Sequence, residues 1–596
     1  MIKCTMHIAR TLACPNMYHC TTRLISRRAW NAINNKWICR RLSGSVPCSD
    51  ESGNVWVEPE GHRTGVKVYN TLTKRKDELV LPHGKCASWY MCGPTVYDSA
   101  HIGHAYCYVN FDVIRRILTN IFGIDVTTVM CITDIDDKII RKANQTGVDF
   151  LSVVKKYEQE FHEDMAALNV QPAHIYTRVT EFIPQIINYI QKIEERGYSY
   201  QVDTGSLYFD VLKYGKYGVF QKRDESVPTG NIAVEENKRH VQDFVLWKAA
   251  KPGEPKWDSP WGPGRPGWHI ECSTMASYIF GKNLDIHTGG EDLKFPHHEN
   301  EMAQTRCYYN CHQWGNYWLH TGHLFLQNDP YKMSKSLQNV ILVKEYLKKY
   351  TANQFRLFCM LTDYKGVIEY SDEKLGKACA LLDSCHSFLH KCDTYIKGQL
   401  VTAEFSEAEM IQRLNKTKSQ VLTVLADDFN TKDCIDAVMS LINYTNSCLN
   451  KRPQAGPACR SPGAVAAVSV YVHRILGQLG VALGGSKATA CADDTERNFN
   501  YVMDSLVHFR KTVRNYALSP TEYGATSSES DQQDMPSRKI KPLLQACDEL
   551  RKDLSVININ VHDYGPESSW KLLEGHSTSK IKTSSVPKKK KEQAGS

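Results

Sequence analysis

The chain predicts an α/β protein in which a parallel-sheet domain, split by an insertion, is followed by a mainly α-helical C-terminal region. Three observations carry this. Residues 87–92 form an apolar run that stops at Gly93-Pro94. Tyr106, Val109, Val113, Ile114, Ile117, Leu118 and Ile121 then recur at helical spacing up to Gly123, and residues 126–132 are β-rich. A strand, a helix and a second strand in this order close as a parallel pair, because the helix supplies the crossover. Strand signals resume only at 284–287 and 317–326, so the sheet is interrupted, and beyond Val340 the pattern is helical to about Leu483.

At 596 residues the chain exceeds one hydrophobic core. Its 42% hydrophobic and 23% charged residues are those of an ordinary globular protein, and no stretch approaches the roughly 20 uncharged apolar residues of a membrane helix. The 21 cysteines are scattered, odd in number and without a C-x-x-C pair, which argues for reduced thiols. A net charge of +8 fits an acidic partner without requiring one.

The N-terminus is distinctive. Residues 1–49 carry Lys3, Arg10, Arg23, Arg27, Arg28, Lys36, Arg40 and Arg41 and no acid before Asp50, with Ser, Thr and apolar residues between. That is the composition of a mitochondrial transit peptide, and it lacks the compact apolar core of a secretory signal. A solvated basic arm has no reason to exclude acids so completely.

The remaining elements follow in order. Residues 50–65 read as a linker, and 68–81 as strand and turn. After Asp134-Ile135-Asp136-Asp137 the pattern is helical through about Glu195, and 203–256 is richer in turns. Residues 519–537 are Ser-, Asp- and Gln-rich, helical pattern returns at 539–554, and the polar tail from His576 ends near the run Lys588 to Lys591.

Two motifs carry chemistry. His101-Ile102-Gly103-His104 falls where the first helix begins, and free N–H groups at a helix start together with its dipole hold phosphate. Lys332-Met333-Ser334-Lys335-Ser336 follows the 317–326 strands and places two mobile cations around a small hydroxyl. Adenylation of a carboxylate gathers negative charge on a pentacovalent phosphorus, so preorganised cations stabilise its transition state more than its ground state.

This pair resembles the signature of class I aminoacyl-tRNA synthetases, and the residues between resemble cysteinyl-tRNA synthetase. They are Cys92-Gly93-Pro94-Thr95-Val96-Tyr97-Asp98, Thr133-Asp134-Ile135-Asp136-Asp137-Lys138-Ile139-Ile140, Asp243-Phe244-Val245-Leu246-Trp247-Lys248, Gly267-Trp268-His269-Ile270-Glu271-Cys272-Ser273 and Phe295-Pro296-His297-His298-Glu299-Asn300-Glu301. With the weaker Asp427-Asp428-Phe429-Asn430-Thr431, the resemblance covers about 65–570. It implies a transit peptide over 1–49, a Rossmann-like catalytic domain over 65–345 with an insertion at about 150–256, and a connecting stem-contact segment at 346–374. A helical anticodon-binding domain over 375–575 and a disordered Lys-rich tail over 576–596 complete the layout.

A metal site is the next expectation. Pro296 suits the first position of a helix, which would put His297 and Glu301 four residues apart on one face. With thiolates from Cys92 and Cys272 these offer two sulfurs, a nitrogen and an oxygen to tetrahedral Zn²⁺. Spacing alone is weak here, since single cysteines are mostly core residues; the resemblance implies zinc on these four, with His298 as support. Zinc accounts for selectivity. A pocket that senses size discriminates cysteine from serine by only about 1–3 kcal/mol, whereas a factor of roughly 10⁴ needs about 5.5 kcal/mol, within the range of a thiolate–zinc bond. The resemblance also implies that Gly93, Thr95 and Trp268 contact the amino acid.

The expected reaction has two steps. The carboxylate of L-cysteine attacks the α-phosphorus of ATP, carried with Mg²⁺, and the cysteinyl group passes to the 3′ end of tRNA(Cys) in the mitochondrial matrix. His101, His104, Lys332 and Lys335 are the catalytic set, and Gly103, Met333, Ser334 and Ser336 complete the ATP site. A monomer is favoured. A side activity, cysteine persulfide synthesis with pyridoxal phosphate on Lys138, Lys332 and Lys335, is a further implication, although Arg141 stands where some relatives have lysine. The ligase joining cysteine to an amino-sugar resembles the same core but lacks a bundle like 375–570, and a catalytically dead RNA-binding protein would not need both motifs intact.

Overall fold

The computed structural model describes residues 48–49, 55–221, 238–327, 339–452, 460–483, 493–518 and 537–572. The transit peptide up to residue 47, the Lys332–Ser336 motif and the Lys-rich tail lie outside the described residues.

A hairpin of β1 (His62–Asn70) and β2 (Arg75–Leu81) precedes the sheet that organises the protein. That sheet is built from β3 (Cys86–Met91), β4 (Asp125–Ile132), β5 (Ile175–Arg178), β10 (Ile286–Gly290) and β11 (Tyr317–Thr321) in the order β11-β10-β3-β4-β5, every pair parallel. The first crossover is α1 (Ile102–Arg116), whose apolar stripe is buried and whose last turn widens over Ile117–Ile121. The second crossover is a pair of helices, α2 (Asp137–Thr146) and α3 (Phe150–Ala167). Asp136 caps α2 by accepting from the Lys138 N–H, and Asp149 caps α3 by accepting from the Ser152 N–H at 3.0 Å.

The insertion differs from its expected bounds. α3 and β5 belong to the main sheet, so the interruption begins after β5, with α4 (Ile183–Glu195) and an antiparallel sheet of β6 (Ser199–Gln201), β7 (Leu207–Phe209), β8 (Phe244–Ala249) and β9 (Gly264–Pro266). The second half of the fold returns through α5 (Trp268–Phe280), β10, α6 (Glu299–Tyr309) and β11. β12 (Leu324–Leu326) pairs in parallel with β13 (Ile368–Tyr370), and α7 (Ala352–Met360) lies between them in sequence.

The C-terminal region holds α8 (Asp372–Ile396), α9 (Glu407–Ala426), α10 (Thr431–Leu449) and α11 (Pro462–Gln478), whose buried apolar residues continue the main core. α12 (Asp493–Leu518) and α13 (Ser537–Val556) then pack on a hairpin of β14 (Ile559–Tyr564) and β15 (Glu567–Leu572). The mainly helical C-terminal region expected from sequence thus ends on a short stretch of β-structure. Met503, Val507, Leu554, Ile559 and Val561 form a small separate core there. No described helix is long and apolar enough to cross a membrane.

Candidate active site and metal centre

The ends of the parallel strands set the site. Cys92 follows β3 and its N–H donates to the Thr288 carbonyl of β10 at 3.0 Å, while the Gly93 N–H donates to Cys131 Sγ of β4 at 3.2 Å. A Cβ on Gly93 would lie 1.7 Å from the Cys131 carbonyl oxygen, so only glycine lets the chain leave β3 between its two neighbours. Thr95 continues along β4, bridging Thr133.

From there the chain enters α1 through a reciprocal cap. His101 Nδ1 accepts the Gly103 N–H at 3.1 Å, and His104 Nδ1 accepts the His101 N–H at 3.3 Å. The rings stack at 3.8 Å. Because both Nδ1 atoms act as acceptors, each imidazole is neutral and carries its proton on Nε2. The two histidines are thus N–H donors at a helix start, not cations. Leu342 bridges His101, and the Ile102 N–H donates to the Ile341 carbonyl at 2.9 Å. The described chain just after the Lys332–Ser336 motif is therefore anchored on this same helix start; the motif itself lies outside the described residues.

A second constellation lies behind the first. Cys92, Cys272, His297 and Glu301 bring one ligand atom each within 4.8 Å of one another, all buried. Cys92 and Cys272 are 3.9 Å apart at sulfur, and His297 Nε2 is 3.1 Å from Glu301 Oε1. The local route is the expected one. Phe295 is extended, and the chain turns helical from Pro296 and runs on into the regular helix at Glu299. His297 and Glu301 therefore meet four residues apart on one face.

Burial acts on Glu301 to raise its carboxyl, but His287 and His297 outweigh it and hold the group down at about 2. Burial pushes the Cys92 thiol well up. Cys131 is held well below its ordinary range by hydrogen bonds from Cys272 and Cys92 that outweigh burial.

Several residues of this centre were not anticipated. His287 Nε2 lies 2.9 Å from Glu301 Oε2, and its ring stacks on Trp318 at 4.3 Å. Cys92, His287, His298 and Glu301 form an alternative ligand group. A hydrogen-bonded line fixes the tautomers here. Thr71 Oγ1 donates to the Trp318 carbonyl at 2.8 Å and so accepts from His320 Nδ1 at 2.8 Å. His320 Nε2 then accepts from His298 Nδ1 at 2.7 Å, leaving the His298 Nε2 lone pair 3.3 Å from Cys92 Sγ. His298 Nε2 thus faces the Cys92 sulfur and its ring is held by His320, whereas the His297 Nδ1 edge rests on His269 at 2.9 Å.

Both constellations open on one cleft of about 640 Å³. Cys92, Gly93, Thr95 and Trp268 line it together with His101, Gly103 and His104, and so do Lys138, Arg141 and Lys142. Trp268 is 40% exposed, its ring 4.5 Å from His297, so its face is offered to a bound molecule and not spent on the core. Of the lysines expected at pyridoxal phosphate, Lys138 lines the cleft, and Lys332 and Lys335 lie outside the described residues.

Comparison with known proteins agrees with this geometry. The family described as the catalytic domain of class I (C) tRNA synthetases matches residues 79–380. A probable mitochondrial cysteine–tRNA ligase of Xenopus tropicalis is 47% identical over 534 residues, 88% of this chain and 93% of the relative. A cytoplasmic cysteine–tRNA ligase of Dictyostelium discoideum is 38% identical over 546 residues, 87% of this chain and 79% of the relative. The enzyme of Thermococcus gammatolerans is 44% identical over 390 residues, 65% and 81% of the two chains. With a class I (C) catalytic-domain match over half its length and a curated relative 47% identical across most of both chains, this chain belongs to the cysteine–tRNA ligase family of class I tRNA synthetases.

Proposed function

We propose that the protein activates L-cysteine with ATP and transfers the cysteinyl group to the 3′ end of tRNA(Cys) in the mitochondrial matrix. The observation that carries this is that Cys92 and Trp268 share one cleft with His101 and His104. The reaction needs both in one place, a thiol recognised at one point and a carboxylate presented to ATP at another. The destination rests on the acid-free basic stretch 1–49 and on the mitochondrial name of the Xenopus relative.

The metal fits. Two soft sulfurs, an imidazole nitrogen and a carboxylate oxygen, each buried and within 4.8 Å, are the donor set of Zn²⁺. We assign Cys92, Cys272, His297 and Glu301 as its ligands, with His287 on the second Glu301 oxygen and His298 against the Cys92 sulfur. Bound zinc supplies an affinity for the substrate's sulfur that serine's hydroxyl lacks.

The chain's own groups carry the phosphate chemistry. The Nε2–H donors of His101 and His104 hold the phosphate oxygens at the positive end of α1 without the desolvation cost of burying two further cations. Lys332 and Lys335 supply the positive charge, Gly103, Met333, Ser334 and Ser336 complete the ATP site, and Mg²⁺ arrives with the nucleotide. No side-chain nucleophile is required.

Pyrophosphate exchange tests the reading. Wild-type protein should exchange with cysteine and be slower with serine by about 10⁴-fold. Lys335→Ala should lower exchange by about 10²-fold or more with little change in cysteine affinity. Equal exchange with serine, or an unaffected Lys335 variant, would refute it.

A further inference from the structure

The amino acid and ATP account for two walls of the cleft, but not for the third. That wall is one face of α2. Lys138, Arg141, Lys142 and Gln145 stand at i, i+3, i+4 and i+7 and all line the cleft. The acids of the same helix are committed elsewhere. Asp137 is held by Lys248 at 2.8 Å and by Arg265 on the insertion sheet, and Asp136 caps the helix. Lys142 Nζ has Asp98 at 3.9 Å. Arg141 is exposed and, among the described residues, makes no ion pair.

The charge does not stop at the mouth of the cleft. The Lys142 ammonium sits 5.8 Å from the Tyr157 ring and that of Lys156, on the same helix as Tyr157, 4.9 Å from it. Beyond them Lys155 and Lys156 border a second depression of about 450 Å³. Its acids are occupied in part. Glu160 accepts from Ser99 Oγ at 2.7 Å, and Lys344 lies 4.0 Å from Glu160 and 3.7 Å from Glu163. The result is a track of cations with one aromatic ring among them, running from inside the cleft onto α3.

A triphosphate would need cations converging on one point, whereas charges strung along a path with an interleaved aromatic ring suit a single nucleic-acid strand. We propose that Arg141, Lys142 and Lys156, with Tyr157, hold the phosphodiester backbone of the single-stranded 3′ end of tRNA while its terminal adenosine lies in the cleft. This rests on the ligase reading above. It assigns the helix pair of the second crossover to the transfer step and leaves activation to the two other walls.

The test separates the two half-reactions. In full-length protein with an unchanged Tm, the double variant Arg141→Gln, Lys156→Gln should keep cysteine-dependent pyrophosphate exchange, measured without tRNA, within about twofold of wild type. Its KM for tRNA in aminoacylation should rise on the order of tenfold, and the slope of log affinity for tRNA against log salt should flatten by about 0.7 for each cation removed. Arg141→Lys, which keeps the charge, should retain most of the wild-type slope. A variant with unchanged tRNA KM and salt slope overturns the inference. So does one in which exchange falls as the KM for ATP rises, because the cations then serve the nucleotide. A wild-type protein without cysteine-dependent exchange overturns the ligase reading and this inference with it, so the two failures are distinguishable.

Discussion

Two carboxylates, Glu301 on α6 of the catalytic half and Asp563 in the C-terminal hairpin, illustrate the difference between a site and a scaffold. Asp563 is complete. Arg510 reaches it with two nitrogens at 2.6 and 3.1 Å, Ser568 donates at 2.7 Å, and Arg551 stands 3.5 Å away. Glu301 is the more deeply buried of the two, and yet it has no permanent cation. Its partners are His287 and His297, which lose their charge on deprotonation, and its other neighbours include Cys92 Sγ at 3.6 Å. A carboxylate among thiols and imidazoles is balanced only by a further cation, whereas one clasped by guanidinium needs nothing. Burial combined with electrostatic incompleteness marks the functional cluster.

The comparison can be broken from either side. The largest effect is expected at the incomplete cluster. Cys272→Ser should lose the metal and lower exchange by more than about 10²-fold, the upper range for disturbing even the residues that support a metal. Zinc content and exchange rate of the same preparation check this, and a variant that keeps both would remove Cys272 from the ligand set. At the complete cluster the effect should fall on stability alone. Arg510→Met leaves Asp563 without its principal partner and should cost about 3 kcal/mol in the C-terminal module, read by denaturant titration. Exchange at 25 °C should be retained, because α12, α13 and the hairpin have their own small core.

Much of the catalytic half was legible in the chain itself. The strand–turn–helix around Cys92 and His101 announces itself through an apolar run, a Gly-Pro stop and helical periodicity, and the parallel sheet follows from it. The four ligands needed more than spacing, because Cys92 and Cys272 come from distant segments and only His297 and Glu301 share a local relation. His287, His320 and Cys131 were opaque for a sharper reason. They sit on β10, β11 and β4, and become neighbours only through a strand order that sequence periodicity does not encode. β5 was hidden by its length, four residues at a sheet edge, and the final hairpin by polar residues alternating through both strands around Gly565-Pro566.

The tautomers of His101 and His104 were likewise beyond the reach of the sequence. The reciprocal cap uses both Nδ1 atoms and fixes neutral donors. The positive charge for phosphate thereby falls to the helix dipole and to lysines.

The central claim is that the cluster at Cys92 holds a metal that senses the substrate's sulfur. Cobalt substitution tests it most directly. With Co²⁺ in place of the native metal, adding cysteine without ATP should produce new sulfur-to-metal charge-transfer absorption that serine does not, since only the thiolate joins the metal. An unchanged spectrum with cysteine, or the same change with serine, would contradict the account.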